Sequence, residues 1–366
     1  MINVTKPDLP PLDEYVELLR RVWSSRWLTN DGELVRLLKA AIEDYLGVKN
    51  LVVMCNGTLA LQIALKALDS KGEVITTPFT FAATTNAVMW EGSTPIFADI
   101  DPETFNIDPG HVESRITEKT IAILATHVYG NPCDVKSLAE IASKHGLTLL
   151  YDAAHAFAVQ YENQSVMNYG DMSTLSFHAT KVFNSIEGGG IVVRDEHLSE
   201  KLRLLRDHGV KSEEQIVLVG TNAKMNEFQA AMGLCNLRNL DARIRSRKAI
   251  CDMYRKGLDH ADVTFQRLVA SKYNYIYMPA CFRSREQRDE VYSELLKNQV
   301  KARKYFFPLT TDFDYFRQEG QAPSQQWDLA HARDIANRIL CLPLYSDLDL
   351  SVVEDIIRIV QGVIAR

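Results

Sequence analysis

The stretch DMSTLSFHATKVFNSIEGGGIVV, residues 171–193, indicates the fold because it places a lysine between two apolar segments. Residues 173–177 are typical of a short buried strand, a glycine-rich turn follows at 187–190, and residues 191–193 are typical of a second strand. Lys181 lies between the two strands. Since an unpaired ammonium group is costly to bury, this position indicates either a surface hairpin or a chemical use of the amine.

The chemical use that suits such a lysine is a covalent bond to the aldehyde of pyridoxal 5′-phosphate (PLP). A lysine amine can form this bond, and act as a base, when its surroundings lower its pKa. The neighbouring glycines would let the backbone pass close to a flat cofactor. Without a cofactor the same stretch would be a hairpin that carries a surface lysine, and this stretch alone leaves both interpretations open.

The composition is that of a globular protein with more than one core. The chain has 366 residues, of which 46% are hydrophobic and 24% are charged. This length favours two lobes, and this balance argues against disorder. The net charge of -6 gives no support for nucleic-acid binding.

Several features predict a cytoplasmic protein without a membrane partner. No apolar run approaches the roughly 20 residues that a membrane-spanning helix needs. The first residues, MINVTKPDLPPLDEY, lack the apolar core of a signal peptide. The six cysteines form no CxxC pair and no Cys/His ligand spacing, so we expect reduced, buried cysteines and no metal site.

A strand–turn–helix alternation from residue 51 onward predicts an α/β fold. It favours a mostly parallel central sheet with helices on both faces. The predicted strands are 51–54, 73–77, 95–100, 121–127 and 148–151, and the predicted helices between them are 59–68, 81–90 and 135–145. Helices are also predicted at 12–23 and 34–45, with Gly47 as the stop of the second.

The remainder of the chain predicts a smaller C-terminal α+β domain. We expect a large domain over 1–259, including the N-terminal helical segment, and a small domain over 260–366. The runs 198–207 and 225–258 are predicted to be largely helical. Helices are predicted at 285–297, 329–340 and 352–363, and strands at 273–278 and 299–303.

Polar residues directly after the predicted strands form the candidate cofactor site, since ligands of such sheets bind beyond the carboxyl ends of the strands. Asn56-Gly57-Thr58 opens a helix, where free N–H groups and the helix dipole favour a phosphate; a plain helix cap is the alternative. Ser176 could also donate to that phosphate.

Asp152, after another strand, could pair with the protonated pyridine nitrogen of PLP, or simply cap a helix. His155 could contact the phenolic oxygen of the cofactor, although a lone histidine is usually structural. Phe81 could stack on the pyridine ring or belong to the core. These residues occur in a consistent chain order, with Asp152 preceding Lys181 by 29 positions. The motifs GxxxxGK[ST], GxGxxG, GxSxG and HExxH are absent from the sequence.

Taken together, these residues resemble the nucleotide-sugar aminotransferases of the DegT/StrS type, which have the aspartate-aminotransferase fold. The similarity runs along nearly the whole chain. The segments that carry it are WLT at 27–29, CNGTLAL at 55–61, PFTFAAT at 78–84, HVYG at 127–130, DAAH at 152–155, SFHATK at 176–181, GTNAKMNEFQAA at 220–231 and LPLY at 342–345.

The resemblance implies a role for each candidate residue, with PLP as the cofactor. Lys181 would hold the cofactor covalently, Asp152 would pair with the pyridine nitrogen, and Phe81 would stack on the ring. The residues expected at the phosphate are Gly57, Thr58, Ser176 and, from the neighbouring subunit of a homodimer with shared active sites, Asn222. The residues expected at the nucleotide sugar are Lys304, Tyr305 and Phe306. His155 departs from the family, which commonly has glutamine there.

The resemblance further implies transfer of an amino group from L-glutamate to a nucleotide-linked keto sugar. Lys181 favours transamination over the dehydration that relatives with histidine at this position catalyse. The turn at 187–189 favours amination of a 4-keto-6-deoxy sugar at C4. Three alternatives remain open: amination at C3, PLP-dependent dehydration, and a non-catalytic protein that binds nucleotide sugars.

Overall fold

The computed structural model describes residues 1–259, 262–318 and 327–366 of the chain. The helices in these ranges are α1 (Leu12–Ser25), α2 (Glu33–Leu46), α3 (Gly57–Lys66), α4 (Ala82–Trp90), α5 (Pro109–Ser114), α6 (Val135–His145), α7 (Glu196–Arg206), α8 (Glu227–Arg238), α9 (Leu240–Gly257), α10 (Arg285–Lys297), α11 (Asp314–Gln318), α12 (Ala330–Arg338) and α13 (Leu350–Ile364). The strands are β1 (Ile2–Asn3), β2 (Leu51–Met54), β3 (Glu73–Thr76), β4 (Thr94–Phe97), β5 (Thr120–Thr126), β6 (Thr148–Asp152), β7 (Gln160–Tyr161), β8 (Gln164–Ser165), β9 (Met172–Ser176), β10 (Gly189–Val193), β11 (Val210–Ser212), β12 (Gln215–Ile216), β13 (Val263–Thr264), β14 (Met278–Phe282), β15 (Val300–Lys301) and β16 (Ile339–Leu342).

A seven-stranded sheet forms the centre of the larger part of the protein. Its strand order is β2-β10-β9-β6-β5-β3-β4. Strand β10 runs antiparallel to β2 and β9, and the other neighbouring pairs are parallel. The predicted α/β fold with a mostly parallel sheet is therefore confirmed.

Alternate side chains of β2 show that helices cover both faces of this sheet. Leu51 and Val53 belong to the same buried cluster as Leu38 of α2. Val52 belongs to a second cluster, which contains Leu61 of α3. Successive side chains of a strand point to opposite faces, so both faces are buried. This two-sided burial explains why the strand is continuously apolar rather than alternating.

The C-terminal part has its own antiparallel sheet, in the order β13-β14-β16. Its core joins side chains from this sheet, from α10 and α13, and from the C-terminal half of α9. The first strand, β1, pairs in parallel with β15 of this part. The predicted domain boundary between 259 and 260 adjoins residues 260 and 261, which lie outside the described residues, and it stays a prediction. In the described ranges, no helix is both long and apolar enough to span a bilayer.

Local capping signals fix where several helices begin and end. Gly47 ends α2 with φ +63°, as predicted, because glycine adopts this left-handed conformation without a side-chain clash. Asn56 caps α3 by accepting a hydrogen bond from the N–H of Leu59. Asn226 and Gln229 form a reciprocal capping box at the start of α8, which separates this helix from the preceding turn.

One predicted element of the C-terminal half is wrong, and two helical predictions need different bounds. Residues 273–278 are not one strand: Tyr275 has φ +53°, and the strand there is β14, which begins at Met278. The preceding residues instead bond to the large domain, where the Asn274 amide donates to the carbonyls of His155 and Phe157 at 2.7 and 2.9 Å.

The two other differences concern the bounds of helices. The helix predicted at 329–340 ends at Arg338, and the fully buried β16 follows it. The run 225–258 is largely helical, as predicted, but it consists of two helices, α8 and α9, with non-helical Asn226 before them and Asn239 between them. Short buried apolar runs fit a strand and a helix equally well by periodicity, and only their pairing partners distinguish the two.

Candidate active site

The carboxyl ends of β2, β3, β6 and β9 open into one cavity of about 470 Å³. Parallel strands bring their carboxyl ends to the same edge of a sheet, which explains why residues far apart in the sequence meet there. The cavity brings together nine of the predicted residues, namely Gly57, Thr58, Phe81, Asp152, His155, Ser176, Lys181, Tyr305 and Phe306.

Two predicted residues do not line this cavity. Asn222 is exposed at the surface, in a backbone bridge to Asp207. Lys304 lies in an adjacent depression, where its ammonium group is 2.5 Å from the Asp289 carboxylate and 4.9 Å from the ring centroid of Tyr292. Arg303, the residue before Lys304, is therefore the cation of this segment that lines the cavity.

Asp152 is the buried acid of the cavity, at the end of β6. Its Oδ2 accepts a hydrogen bond from the hydroxyl of Thr84 at 2.6 Å, and its Oδ1 accepts one from the N–H of Ala154 at 3.1 Å. Burial raises the pKa of Asp152 above its ordinary value, while these two hydrogen bonds and the charge of Lys181 oppose the rise. The carboxylate is thus held in place, with lone pairs left for a further donor.

Lys181 is the basic residue of the cavity, in the turn after β9. Its backbone N–H donates to the carbonyl of His178 at 2.9 Å, which fixes the turn. Its ammonium group has no hydrogen-bond partner among the described residues. Burial lowers the pKa of Lys181 to about 8, with the charge of Arg303 acting in the same direction and that of Asp152 against it. A substantial fraction of this amine is therefore neutral near pH 8.

The start of α3 forms the anion-binding end of the cavity. Asn56 caps the third amide of the first turn, so Gly57 and Thr58 face the cavity at the positive end of the helix dipole. A side chain at Gly57 would place its Cβ 2.8 Å from Cβ of Ser176. Glycine at this position therefore lets the helix start approach β9, which brings Ser176 beside the same amides.

Aromatic rings form another part of the cavity lining. The ring of His155 is parallel to that of Phe306, with centroids 6.0 Å apart, and meets Tyr277 edge-on at 5.1 Å. Burial lowers the pKa of His155 well below its ordinary value, so its imidazole is neutral. Phe81 precedes α4, lines the cavity and leaves 48% of its surface exposed, so its ring is accessible to a ligand.

Several residues that line the cavity or support it were given no role of their own by the sequence motifs. Arg303 lines it without an ion-pair partner among the described carboxylates. Glu187 lies 3.5 Å from Nε2 of His178, whose Nδ1 is 2.9 Å from the hydroxyl of Thr180. Thr84, which bonds to Asp152, was quoted within the motif at 78–84 but given no role. Only contacts between distant segments reveal such partners.

The residues present fit PLP by their chemistry. The cavity holds an amine with a lowered pKa, a buried carboxylate with free lone pairs, and a helix start where a side chain on Gly57 would collide with its neighbour. These three features suit, respectively, the aldehyde, the pyridine nitrogen and the phosphate of the cofactor. Together with the fold, they define the class of PLP-dependent enzymes with an aspartate-aminotransferase-like fold.

Comparison with known proteins gives the family. The DegT/DnrJ/EryC1/StrS aminotransferase family matches residues 12–361, and the chain belongs to this family. It is 40% identical over 368 residues to the dTDP-4-amino-4,6-dideoxy-D-glucose transaminase of Shigella dysenteriae, covering 99% of both chains. It is 37% identical over 369 residues to the Escherichia coli protein of the same name, covering 99% of this chain and 98% of that one.

A solved structure agrees with this assignment. DesI, determined in the presence of its TDP-sugar product, superimposes with a TM-score of 0.90 at 34% identity, covering 98% of this chain and 91% of that one. The protein is thus a PLP-dependent aminotransferase of a family that acts on nucleotide-linked sugars. The predicted family, fold class, enzyme class and cofactor are confirmed.

Proposed function

We propose that the protein transfers the amino group of L-glutamate to C4 of dTDP-4-keto-6-deoxy-D-glucose, which gives dTDP-4-amino-4,6-dideoxy-D-glucose. The observation that carries this proposal is the full-length similarity, at 40% identity, to a transaminase named for that product. The joint position of Lys181 and Asp152 in one cavity supports amino-group transfer over binding alone, since a binding protein needs neither residue there.

The site residues keep the roles that the resemblance implied. When bound, PLP supplies an electron sink that makes the Cα proton of an amino acid removable. Asp152 would hold the proton of the ring nitrogen in place. The amides of Gly57 and Thr58 and the hydroxyl of Ser176 would bind the phosphate. Phe81 and His155 would border the ring and its phenolic oxygen.

Lys181 moves the protons of the reaction. Its neutral amine would remove the proton from Cα of bound L-glutamate. Water would then supply the oxygen of 2-oxoglutarate, which leaves before the keto sugar binds, while the amino group stays with the cofactor. In the second half of the reaction the keto oxygen of the sugar would leave as water, C4 would take up the retained amino group, and Lys181 would return a proton to C4. The lowered pKa of Lys181, about 8, allows both protonation states near neutral pH.

The rim formed by residues 303–306 would bind the nucleotide sugar. Tyr305 and Phe306 line the cavity, and Arg303 supplies a cation suited to a diphosphate or carboxylate. Lys304 was predicted for this role, but it faces Asp289, so its contact with substrate requires a change of partner. The nucleotide-linked product also suggests a cytoplasmic step in the synthesis of a surface polysaccharide such as an O-antigen.

The absorbance spectrum tests both halves of the proposed reaction. Protein reconstituted with PLP should show the visible band of the lysine-bound cofactor, and L-glutamate should convert this band to the pyridoxamine form. Addition of dTDP-4-keto-6-deoxy-D-glucose should restore it. Absence of the visible band would show that Lys181 does not bind the cofactor covalently. A GDP-linked 4-keto-6-deoxy sugar in place of the dTDP-linked one tests the choice of nucleotide.

Product analysis separates the remaining alternatives. NMR of the product should place the new amine at C4, whereas an amine at C3 would move the reaction to a 3-keto sugar. A deoxy sugar formed without amine transfer would indicate a dehydratase. Sugar binding without any chemistry would indicate a binding protein. The variant Lys181→Ala should fold normally but fail in both half-reactions.

We also propose that the protein is a homodimer in which Asn222 binds the phosphate in the active site of the neighbouring subunit. Its exposure, together with its absence from the cavity of its own chain, supports this arrangement. Mixed dimers of Lys181→Ala and Asn222→Ala chains test it. If Asn222 serves the neighbouring subunit, each mixed dimer has one site with both wild-type residues, and activity returns. If Asn222 serves its own chain, every site lacks one of the two residues, and mixing restores no activity.

A further inference from the structure

We propose that three buried threonines, Thr126, Thr80 and Thr84, form a one-way hydrogen-bond chain that ends on Asp152 and positions its carboxylate for the ring nitrogen of the cofactor. The three are positioning residues because they act through Asp152. The inference rests on the proposed role of Asp152 in the reaction. Nothing in the sequence motifs assigned a role to these hydroxyl groups.

The chain joins four separate segments beside the cavity. The Oγ1 atoms of Thr126 and Thr80 are 2.9 Å apart, and those of Thr80 and Thr84 are 2.8 Å apart. The hydroxyl of Thr84 then lies 2.6 Å from Oδ2 of Asp152. Thr126 ends β5, Thr80 follows β3, Thr84 lies in α4, and Asp152 ends β6. All four side chains are at most 5% exposed.

The direction of the chain follows from the number of protons. Each threonine hydroxyl has one proton to donate. The ionised carboxylate of Asp152 only accepts, so Thr84 must donate to it. Thr84 then has no proton left for Thr80, and Thr80 must be the donor in that pair. By the same reasoning Thr126 donates to Thr80. Every proton therefore points toward Asp152.

An aligned chain of this kind strengthens the last hydrogen bond. Successive hydroxyl groups polarise one another, and a bond to a charged acceptor is stronger than a neutral one. Burial raises the pKa of Asp152, and the Thr84 hydrogen bond is the largest of the effects that oppose it. The amide of Ala154 holds the other oxygen at 3.1 Å. These hydrogen bonds thus favour the ionised carboxylate and fix its orientation.

Loss of the threonine hydrogen-bond chain should shift the proton between Asp152 and the pyridine nitrogen toward Asp152. Without the Thr84 donor, the pKa of Asp152 rises further, and the carboxylate competes better with the pyridine nitrogen for the proton between them. The protonated fraction of the ring nitrogen should fall. The effect should be largest when the last donor is lost and smallest when the remote Thr126 is changed.

The experiment is ¹⁵N NMR of the protein reconstituted with PLP labelled at the ring nitrogen, for the wild type and for Thr84→Val, Thr80→Val and Thr126→Val. We expect the nitrogen signal to shift toward that of neutral pyridine in the order Thr84, Thr80, Thr126. The rate of the L-glutamate half-reaction should fall about tenfold or more for Thr84→Val, because a hydrogen bond to a charge is lost. The variant Thr84→Ser keeps the hydroxyl donor, so it should have the wild-type nitrogen signal and the wild-type rate.

Thr85→Val is the matched control. Thr85 is buried in the same helix, but its hydroxyl bonds to that of Thr310 at 3.1 Å instead of to Asp152. A wild-type nitrogen signal in Thr84→Val, equal shifts in all three variants, or the same shift in Thr85→Val would overturn the proposal. If Thr84→Val does not fold, the other two variants decide, because the nitrogen signal must shift more in Thr80→Val than in Thr126→Val. A wild-type protein that never binds PLP covalently would instead refute the proposed function.

Discussion

The guanidinium group of Arg303 lies over the ring of Tyr305, with its central carbon 3.8 Å from the ring centroid. This stacking orients the cation while leaving its hydrogen-bond donors free, since planar guanidinium groups stack on aromatic faces. Within the described ranges no carboxylate pairs with it, although it lines the cavity beside Lys181. An unpaired cation at this position is suited to an anionic group of a substrate.

Replacement of Arg303 by methionine should weaken substrate binding more than turnover. We expect KM for the anionic substrate that Arg303 contacts to rise about tenfold or more, because a charge-assisted hydrogen bond is lost, with a small change in kcat. Steady-state kinetics with each substrate varied in turn would identify that substrate. Lys301→Met is the control, since Lys301 is exposed and lies outside the cavity. Equal KM values in both variants would contradict this role.

The capture of PLP by the apoprotein should depend on the protonation of Lys181. Only the neutral amine attacks the cofactor aldehyde, and burial lowers the pKa of Lys181 to about 8. The rate constant of capture should therefore rise between pH 7 and 8 and level off above the pKa. Stopped-flow absorbance with excess PLP measures it. A rate that still rises steeply toward pH 10 would show that the amine has its ordinary pKa.

The variant Asp152→Asn should retain much of its PLP but lose most of its activity. An amide cannot stabilise the protonated pyridine nitrogen, so we expect the L-glutamate half-reaction to slow on the order of a hundredfold. Single-turnover absorbance reports that rate, and gel filtration followed by cofactor release reports retention. An unchanged rate would remove Asp152 from the mechanism.

Replacement of Gly57 by alanine should damage both stability and cofactor affinity. The new Cβ would lie 2.8 Å from Cβ of Ser176, so α3 must shift away from β9, at a cost of about 1–3 kcal/mol. Chemical unfolding and PLP titration measure the two effects. Gly362→Ala is the control, because its Cβ meets nothing within 4 Å and alanine favours a helix by about 0.5–1 kcal/mol. Destabilisation of both variants would argue against the proposed collision.

Several features of this protein were readable from the sequence because they depend on neighbouring residues. The alternation of strands and helices predicted the parallel sheet, and Gly47 predicted the end of α2, since periodicity and backbone conformation are local properties. The positions of Gly57, Asp152 and Lys181, each after a predicted strand, predicted that they would meet in one cavity. The sheet then brought them together because parallel strands end at one edge.

Other features depended on which distant segments meet. Sequence alone could not tell that Arg303, instead of Lys304, faces the cavity, because that depends on the pairing of Lys304 with Asp289 in α10. It also gave no sign that residues 339–342 form a strand, since a buried apolar run is ambiguous until it has a partner. The threonine chain to Asp152 exists only where four elements converge. Hydrogen bonds and ion pairs act over a few ångströms, so only the tertiary structure decides them.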